Sequence, residues 1–306
     1  MGAYLLRRLT QSVLILLGVT FVTFLLLYAL PADPARMIAG RSATADTVER
    51  IRAELGLDRP LLVQYGRYLA RLAQGDLGRS YAQKVEVEAL LASRLGATFL
   101  LMVGGIAVEL LIGLPAGTLA AVRRQGAFDR TVMVGAFLGV SAPQFAVGLL
   151  LLYLLAYKWP LFPLGGYGSL AHLILPAVTL GIAGGGWYAR MMRSAMLDVI
   201  HQDYVRTARA KGAGEGRVIG KHALRNALLP VVSMVGLDFG TFMGGVVVVE
   251  SVFSWPGIGQ LAWQAIQIVD IPVIMGVVLV SATAILLGNL LADLVYPLLD
   301  PKIRYS

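Results

Sequence analysis

Long apolar runs dominate the pattern of hydrophobic and polar positions along the chain. A helix needs about 20 apolar residues to cross a hydrocarbon core roughly 30 Å thick. Runs of this kind occupy residues 9–30, 98–122, 131–156, 173–192, 228–249 and 272–294. The first run follows Arg7 and Arg8 and is too long for a cleaved signal sequence, so we expect it to be retained. The pattern therefore predicts an all-α membrane protein with six transmembrane helices.

A more polar region separates the first two runs. From residue 47 onward its apolar residues recur at helical spacing, with interruptions at Gly56, Pro60 and Gly75. This spacing predicts two or three short amphipathic helices on the membrane surface or over a pore mouth. The predicted organisation is a tail with the first transmembrane helix (1–30), an insertion (31–97), and a five-helix core (98–306) that contains a long loop at 194–227.

Basic residues are distributed unevenly between the two sides of the predicted spans. The chain is 57% hydrophobic and 14% charged, with a formal net charge of +8. Fifteen basic residues lie in the termini and short loops of one side, whereas Lys158 alone lies in the short loops of the other. Short loops rich in Lys and Arg remain in the cytoplasm. We therefore expect two cytoplasmic termini, an extracytoplasmic insertion and contact with lipid, and the charge gives no reason to expect nucleic acid.

Pairs of glycines and single prolines occur inside the predicted spans. Each G-x-x-x-G pair lets two helix backbones approach closely in lipid, either within one bundle or, as the alternative, between two chains. Prolines inside a span remove a hydrogen-bond donor and favour a kink. The pairs are Gly113/Gly117, Gly135/Gly139, Gly181/Gly185 and Gly240/Gly244, and the prolines are Pro115, Pro143 and Pro176.

Two acidic residues lie at mid-span depth. A charged side chain there costs roughly 2.5–3.5 kcal/mol on insertion scales, and no Lys or Arg lies at the depth of Glu109 or Asp238. We expect each to be protonated or in contact with water, either lining a polar pathway or bonding to a neighbouring helix. Ser141 and Gln144, which flank Pro143 in SAPQF, either line the same pathway or only accompany a kink. Glu250 and Asp293 lie near span ends, where we expect contact with headgroups or water.

The sequence contains no pattern of an enzyme active site or a metal site. In GRVIGKH, Gly216 lies one position too close to Gly220 for a phosphate-binding loop, and His222 replaces the Ser or Thr that binds magnesium. The remaining histidines, His172 and His201, lack metal-ligand spacing. We therefore expect no catalytic residue, no bound metal and no cofactor in this chain.

The segment RTARAKGAGEGRVIGKH, in the loop at 194–227, is basic and punctuated by glycine. Residues 203–211 favour a helix, which Gly212 ends in a left-handed conformation. A short helix with small side chains and a basic surround fits the groove of another protein. The alternative is a basic loop that only sets the topology.

Several motifs resemble one family of membrane proteins. YVRTARAKG, followed by KHALRNALLPVV at 221–232, is similar to the cytoplasmic loop of the dipeptide/oligopeptide/nickel permeases of ATP-binding-cassette importers. The resemblance covers the whole chain and fits the first of the two permease subunits. Further matching motifs are YLLRRL (4–9), LGLDRPLLVQY (55–65), GDLGRSY (75–81), VVVESVFSWPGIG (247–259) and LLDPKIR (298–304).

The resemblance implies a type I importer permease fold and a division of labour. Two cytoplasmic ATPases would bind ATP and magnesium, and a second related permease and an extracytoplasmic substrate-binding protein would complete the complex in a bacterial or archaeal plasma membrane. The loop would dock on the ATPases. The residues that carry over to this contact are Thr207, Ala208, Lys211 and Gly212, whereas Arg206 and Arg225 stand where the wider superfamily has Glu and Pro.

The resemblance also implies a substrate class and an outer structure. Peptides are the implied substrates, with glutathione, nickel chelates and oligosaccharides as alternatives. The segment SWPGIGQLAWQAI (254–266) is amphipathic and predicts a short surface or re-entrant helix, in which Trp255 and Trp263 equally fit an interfacial anchor.

Two other classes of function remain open from the sequence alone. An ion channel or secondary carrier would use Glu109 and Asp238 as proton sites and would transport without an ATPase. A membrane scaffold would tolerate Asp238→Asn with no effect on uptake.

Overall fold

The computed structural model describes residues 2–29, 34–40 and 43–299, and these residues are almost entirely helical. Two π-helical turns, Leu152–Lys158 and Val218–Ala223, adjoin the α-helices. The motif residues 300–304, including the basic Lys302 and Arg304, lie outside the described residues. The α-helices are α1 (Gly2–Ala29), α2 (Pro34–Ala39), α3 (Ala45–Leu55), α4 (Leu61–Leu72), α5 (Val87–Val122), α6 (Ala127–Ser141), α7 (Gln144–Leu151), α8 (Leu170–Ile200), α9 (Asp203–Ala210), α10 (Glu215–Arg217), α11 (Leu224–Ala227), α12 (Leu229–Met243), α13 (Val247–Val252), α14 (Ile258–Gln267) and α15 (Ile271–Leu299).

Four helices in the described ranges are long and apolar enough to cross a membrane. These are α1, α5, α8 and α15. Two bent helix pairs pass the same test, and the number of spans is six when each pair counts as one. The fold class predicted from the sequence is therefore confirmed.

The third predicted span consists of two helices, α6 and α7, at an angle of 100°. Ala142 and Pro143 separate them in extended conformations, with ψ of 128° and 127°. Proline has no backbone N–H and disfavours a helical conformation in the residue before it. The break at Pro143 was expected, and its size is a finding of the structure.

Two helix boundaries differ from the ends of the predicted spans. The helix that contains 98–122 begins at Val87, inside the predicted insertion. The span predicted at 228–249 ends at Met243, and Val247 begins a separate helix. The second break follows from Gly245, whose φ of 93° is in the left-handed region. The backbone of Gly259 lies so close to Gly245 that a side chain there would overlap it.

The insertion has the predicted short helices. Helix α3 begins after Thr44, whose hydroxyl accepts a hydrogen bond from Thr47 N, and it ends at Gly56 with φ of 67°. Helix α4 follows Pro60 and packs on the C-terminal half of α1, where Tyr65 Oη donates to Leu17 O at 3.0 Å. The insertion is thereby held on the first span.

A buried carboxylate fastens the end of the insertion to the core. Asp270, which precedes α15, accepts hydrogen bonds from Ser80 Oγ at 2.5 Å, Tyr81 N at 3.0 Å and Ala82 N at 3.2 Å. These donors follow the GDLGR part of the motif at 75–81. A buried carboxylate that lacked such donors would be costly, so the three bonds fix the turn to the start of α15.

Glycines allow α5 and α8 to pack along most of their lengths. A Cβ atom on Gly117 would overlap Ala189 O and lie 2.8 Å from Met192 Cβ, and one on Gly113 would overlap Tyr188. On the facing helix, a Cβ on Gly181 would overlap Val108. For these pairs the expected close packing within one bundle is confirmed.

We predict that Gly117→Leu destabilises the chain, because a side chain cannot enter the α5–α8 contact without separating the helices. The expected loss is about 1–3 kcal/mol in the free energy of unfolding, measured by thermal unfolding in detergent micelles. Gly135→Leu is the matched control, since no atom lies within 4 Å of a Cβ built there. Equal unfolding temperatures for the two variants would contradict the packing role of Gly117.

Candidate functional site

Three polar side chains meet between α5, α8 and α12, and we call Glu109, Tyr188 and Asp238 the polar centre. Tyr188 is fully buried and donates a hydrogen bond from Oη to Asp238 Oδ2. Glu109 is 3% exposed and packs against Gly184, where a Cβ atom would overlap its carboxylate. The two acidic residues predicted from the sequence therefore belong to one site.

The polar centre has spare hydrogen-bonding capacity. Glu109 Oε2 is buried and has no hydrogen-bond partner in the part of the chain that the structure describes. No Lys or Arg of the described residues forms an ion pair with Glu109 or Asp238. A buried polar atom without a partner is costly. The arrangement thus offers acceptor oxygens to water or to a group that carries N–H or O–H donors.

Ser141 and Gln144 flank the bend between α6 and α7. Ser141 is exposed at the end of α6, and Gln144 is half-buried at the start of α7. No hydrogen bond within the described ranges joins either side chain to the polar centre. The structure therefore brings together two of the four predicted pathway residues and leaves these two at the bend.

The predicted docking helix forms after α8. Helix α9 spans Asp203–Ala210, and Gly212 follows with φ of 79°. Gly212 N donates to Arg209 O at 2.9 Å, and Ala213 N donates to Ala208 O at 3.2 Å. The helix and its left-handed glycine end are both as predicted.

The outer face of this hairpin carries three of the four predicted docking residues. Thr207, Lys211 and Gly212 are exposed. Ala208 is only 9% exposed and packs with the buried Val205 and Val218. Helical periodicity turns Ala208 towards the π-helical turn that follows, and its contact with a partner remains a prediction.

Polar contacts hold the hairpin in a defined orientation. Arg209 Nε donates to Glu215 Oε1 at 2.7 Å, and Asn226 Nδ2 donates to Tyr204 Oη at 2.7 Å. The second bond joins α9 to α11, which leads directly into α12. The bond is thus a direct polar contact between α9 and the segment that leads into the helix carrying Asp238.

The same end of α8 is joined to α6 by an ion pair that the sequence pattern did not indicate. Arg193 Nε and Nη2 donate to the two carboxylate oxygens of Asp129 at 2.6 and 2.7 Å. The two residues are 64 positions apart, and neither belongs to a motif. Bidentate geometry makes this contact directional as well as charged.

Glu250 and Trp255 are structural rather than interfacial. Glu250 is 0% exposed, accepts a hydrogen bond from Gln260 N at 2.6 Å, and thereby caps the start of α14. Trp255 is fully buried, and its Nε1 donates to Ala97 O at 2.9 Å. The expectations of headgroup contact for Glu250 and of an interfacial anchor at Trp255 are wrong, whereas Trp263 is exposed.

Asp293, near the end of α15, forms an ion pair with Arg8 at 2.7 Å. The pair links the first part of α1 to the last part of α15. Among the described residues, no group of three or more His, Cys, Asp or Glu side chains is placed to hold a metal ion.

Comparison with protein families matches nearly the whole chain. Residues 113–305 match the model described as "Binding-protein-dependent transport system inner membrane component", and residues 1–102 match the corresponding N-terminal model. Three relatives, each with 99% of both chains covered, are similar in sequence. They are the glutathione transport system permease protein GsiC of Pectobacterium atrosepticum (43% identical), GsiC of Escherichia coli strain K12 (41%) and a putative peptide permease protein of Brucella suis (43%).

A solved structure shares the fold. A chain of the inward-facing methionine ABC transporter MetNI superposes with a TM-score of 0.58 at 22% identity. The match covers 69% of this chain and 96% of that one. The predicted importer-permease fold is thereby confirmed.

We predict that Tyr188→Phe destabilises the polar centre, because it leaves the Asp238 carboxylate without its donor. The expected loss is about 1–3 kcal/mol in the free energy of unfolding, measured by thermal unfolding in detergent micelles. Tyr157→Phe is the matched control, since Tyr157 is exposed. The role of the Tyr188 hydroxyl would be refuted by two variants that unfold at the same temperature.

Proposed function

We propose that this chain, which belongs to the family of binding-protein-dependent transport system inner membrane components, is the first permease subunit of an ATP-driven importer of short peptides. The family membership rests on the match over nearly the whole length. The relatives named for glutathione and peptide transport support short peptides, glutathione among them, as the substrate class. A substrate-binding protein supplies the peptide, and ATPase subunits bind and hydrolyse ATP with its magnesium, so this chain is a transport subunit rather than an enzyme.

The proposed topology places both termini in the cytoplasm. The basic loops favour this orientation, and the ion pair between Arg8 and Asp293 joins the two helix ends that would lie at the cytoplasmic surface. The insertion, with α2 to α4, then faces the binding protein. The remaining helices form the core, which begins at Val87 rather than at residue 98.

The observation that carries the proposal is the exposed α9 hairpin at the end of a long span. Thr207, Lys211 and Gly212 form its outer surface, which we assign to the contact with an ATPase, while Ala208 supports this surface from inside. Closure of the ATPases moves α9. The contact from Asn226 to Tyr204 then transmits this movement to α12.

The proposed movement of α12 would reach the polar centre. Tyr188 lies on α8 and Asp238 on α12, so a relative movement of these helices changes their hydrogen bond. We place Glu109 and Asp238 along the translocation pathway, with Ser141 and Gln144 at the bend beside it. A second related permease supplies the other half of the pathway.

We predict that Gly212→Val abolishes ATP-dependent uptake, because valine is strained at φ of 79° and the hairpin must change shape. The expected loss is at least tenfold (~1.4 kcal/mol in coupling), measured as peptide uptake into proteoliposomes that contain all subunits. Gly214→Val is the matched control, since Gly214 is exposed and extended, with ψ of 147°, which valine adopts readily.

Three results would contradict the docking assignment. One is normal uptake by Gly212→Val with normal capture of the ATPases. Another is an equal loss in Gly214→Val, because Gly214 lies outside the assigned surface and its extended conformation accommodates valine. Uptake by the permeases without any ATPase would instead favour an autonomous channel or carrier.

A further inference from the structure

A cavity of about 700 Å³ lies between the insertion and the spans, remote from the polar centre. It is bounded by α1, α3, α4, the turn at 77–84 and the start of α15. Its volume is typical of sites for small ligands. No residue of α5, α8 or α12 is among those that line it. The cavity is therefore separate from the proposed pathway.

The cavity is strongly basic. Arg67, Arg71, Arg79 and Lys84 line it together with a single acidic residue, Glu54. None of the four basic side chains forms an ion pair within the described ranges. Basic side chains gathered around a concave site attract an anion.

Two buried polar atoms in the cavity wall lack partners. Tyr68 is 8% exposed, and its hydroxyl has no hydrogen-bond partner among the described residues. Gln64 Nε2 donates to Arg59 O at 2.7 Å, whereas Gln64 Oε1 is buried without a partner. Native structures rarely leave such atoms unsatisfied. Both residues line the cavity, and a small movement of either side chain would turn its unpaired atom towards a bound polar group.

The Tyr68 hydroxyl is suited to an anion rather than a cation. Burial, with a smaller contribution from neighbouring Tyr65, raises its pKa to about 12, and Arg71 opposes this shift only in part. The hydroxyl is therefore neutral at pH 7 and has a proton to donate. Donors from Tyr and Arg together match the oxygens of a phosphate.

The apolar side of the cavity lies at the membrane boundary. Two of its apolar residues lie at the ends of membrane-spanning segments. Phe24 is near the end of the apolar segment Arg7–Leu27 of α1, and Met275 is near the beginning of the apolar segment Ile271–Leu291 of α15. Beside Phe24, Val22 and Leu26 are exposed on the surface of the same helix. The cavity thus joins a basic pocket at headgroup depth to an apolar surface at acyl-chain depth.

We propose that this cavity binds the headgroup of an acidic phospholipid, with the phosphate among Arg67, Arg71 and the Tyr68 hydroxyl and the acyl chains along α1. Such a ligand uses both the basic pocket and the adjoining apolar surface, whereas a soluble anion needs only the basic pocket. The assignment to the outer leaflet rests on the topology proposed above. The lipid would fix the angle between the insertion and the first span.

The test is a lipid titration followed by native mass spectrometry on the detergent-purified permease complex. Wild type is expected to bind one phosphatidylglycerol about tenfold more tightly than phosphatidylcholine. The double variant Arg67→Gln/Arg71→Gln is expected to lose this preference. Tyr68→Phe is expected to weaken phosphatidylglycerol binding by roughly three- to tenfold with an intact fold. Arg50→Gln is the matched control, since Arg50 is exposed on α3 and does not line the cavity.

Four results would overturn the proposal. These are equal binding of the two lipids by wild type, an equal loss in Arg50→Gln, displacement of the lipid by glutathione, and binding of glycerol 3-phosphate as tight as that of phosphatidylglycerol. The third would assign the cavity to substrate and the fourth to a soluble phosphate. Binding is measured without transport, so a failure of peptide uptake would refute the proposed function and leave the lipid site standing.

Discussion

The close contact between α5 and α8 is the interaction on which the core depends. In a bilayer, water exclusion does not drive helices together, so association relies on packing and hydrogen bonds. Glycines on both helices, among them Gly113, Gly117 and Gly181, bring the two backbones together. The same approach places Glu109 against Gly184 and fixes Tyr188 beside Asp238. If the helices were further apart, the side chains of the polar centre would no longer meet.

Buried carboxylates elsewhere in the chain hold separate segments together through hydrogen bonds. Glu250 caps α14, Asp270 binds the turn that ends the insertion, and Asp129 binds Arg193 in bidentate geometry. Each has donors within hydrogen-bond distance, as a buried acid requires. Glu109 differs because one of its oxygens has no such donor among the described residues. This contrast separates the acids that hold the structure from Glu109, which keeps one oxygen without a donor.

The sequence predicts features that depend on local pattern and misses those that depend on distant partners. The spans, the helices of the insertion and the left-handed Gly212 follow from apolar runs, helical periodicity and the freedom of glycine. The inward side of Ala208 depends instead on packing against Val218 across the turn of the hairpin. The burial of Glu250 and Trp255 depends on partners far along the chain, Thr98 and Ala97. Trp255, for example, bonds to a carbonyl 158 positions away. Likewise Pro143 predicts a break but not the angle of 100° between α6 and α7, which both pack on α8.

We propose that the chain crosses the membrane with the α9 hairpin towards the ATPases and the insertion away from them. The chain contains no cysteine, so single cysteines introduced at Asp58 and Lys211, both exposed, report the two sides without interference. A maleimide that does not cross membranes is expected to label Asp58→Cys in intact spheroplasts and Lys211→Cys only after the membrane is opened. Labelling of Lys211→Cys in intact spheroplasts would contradict the account.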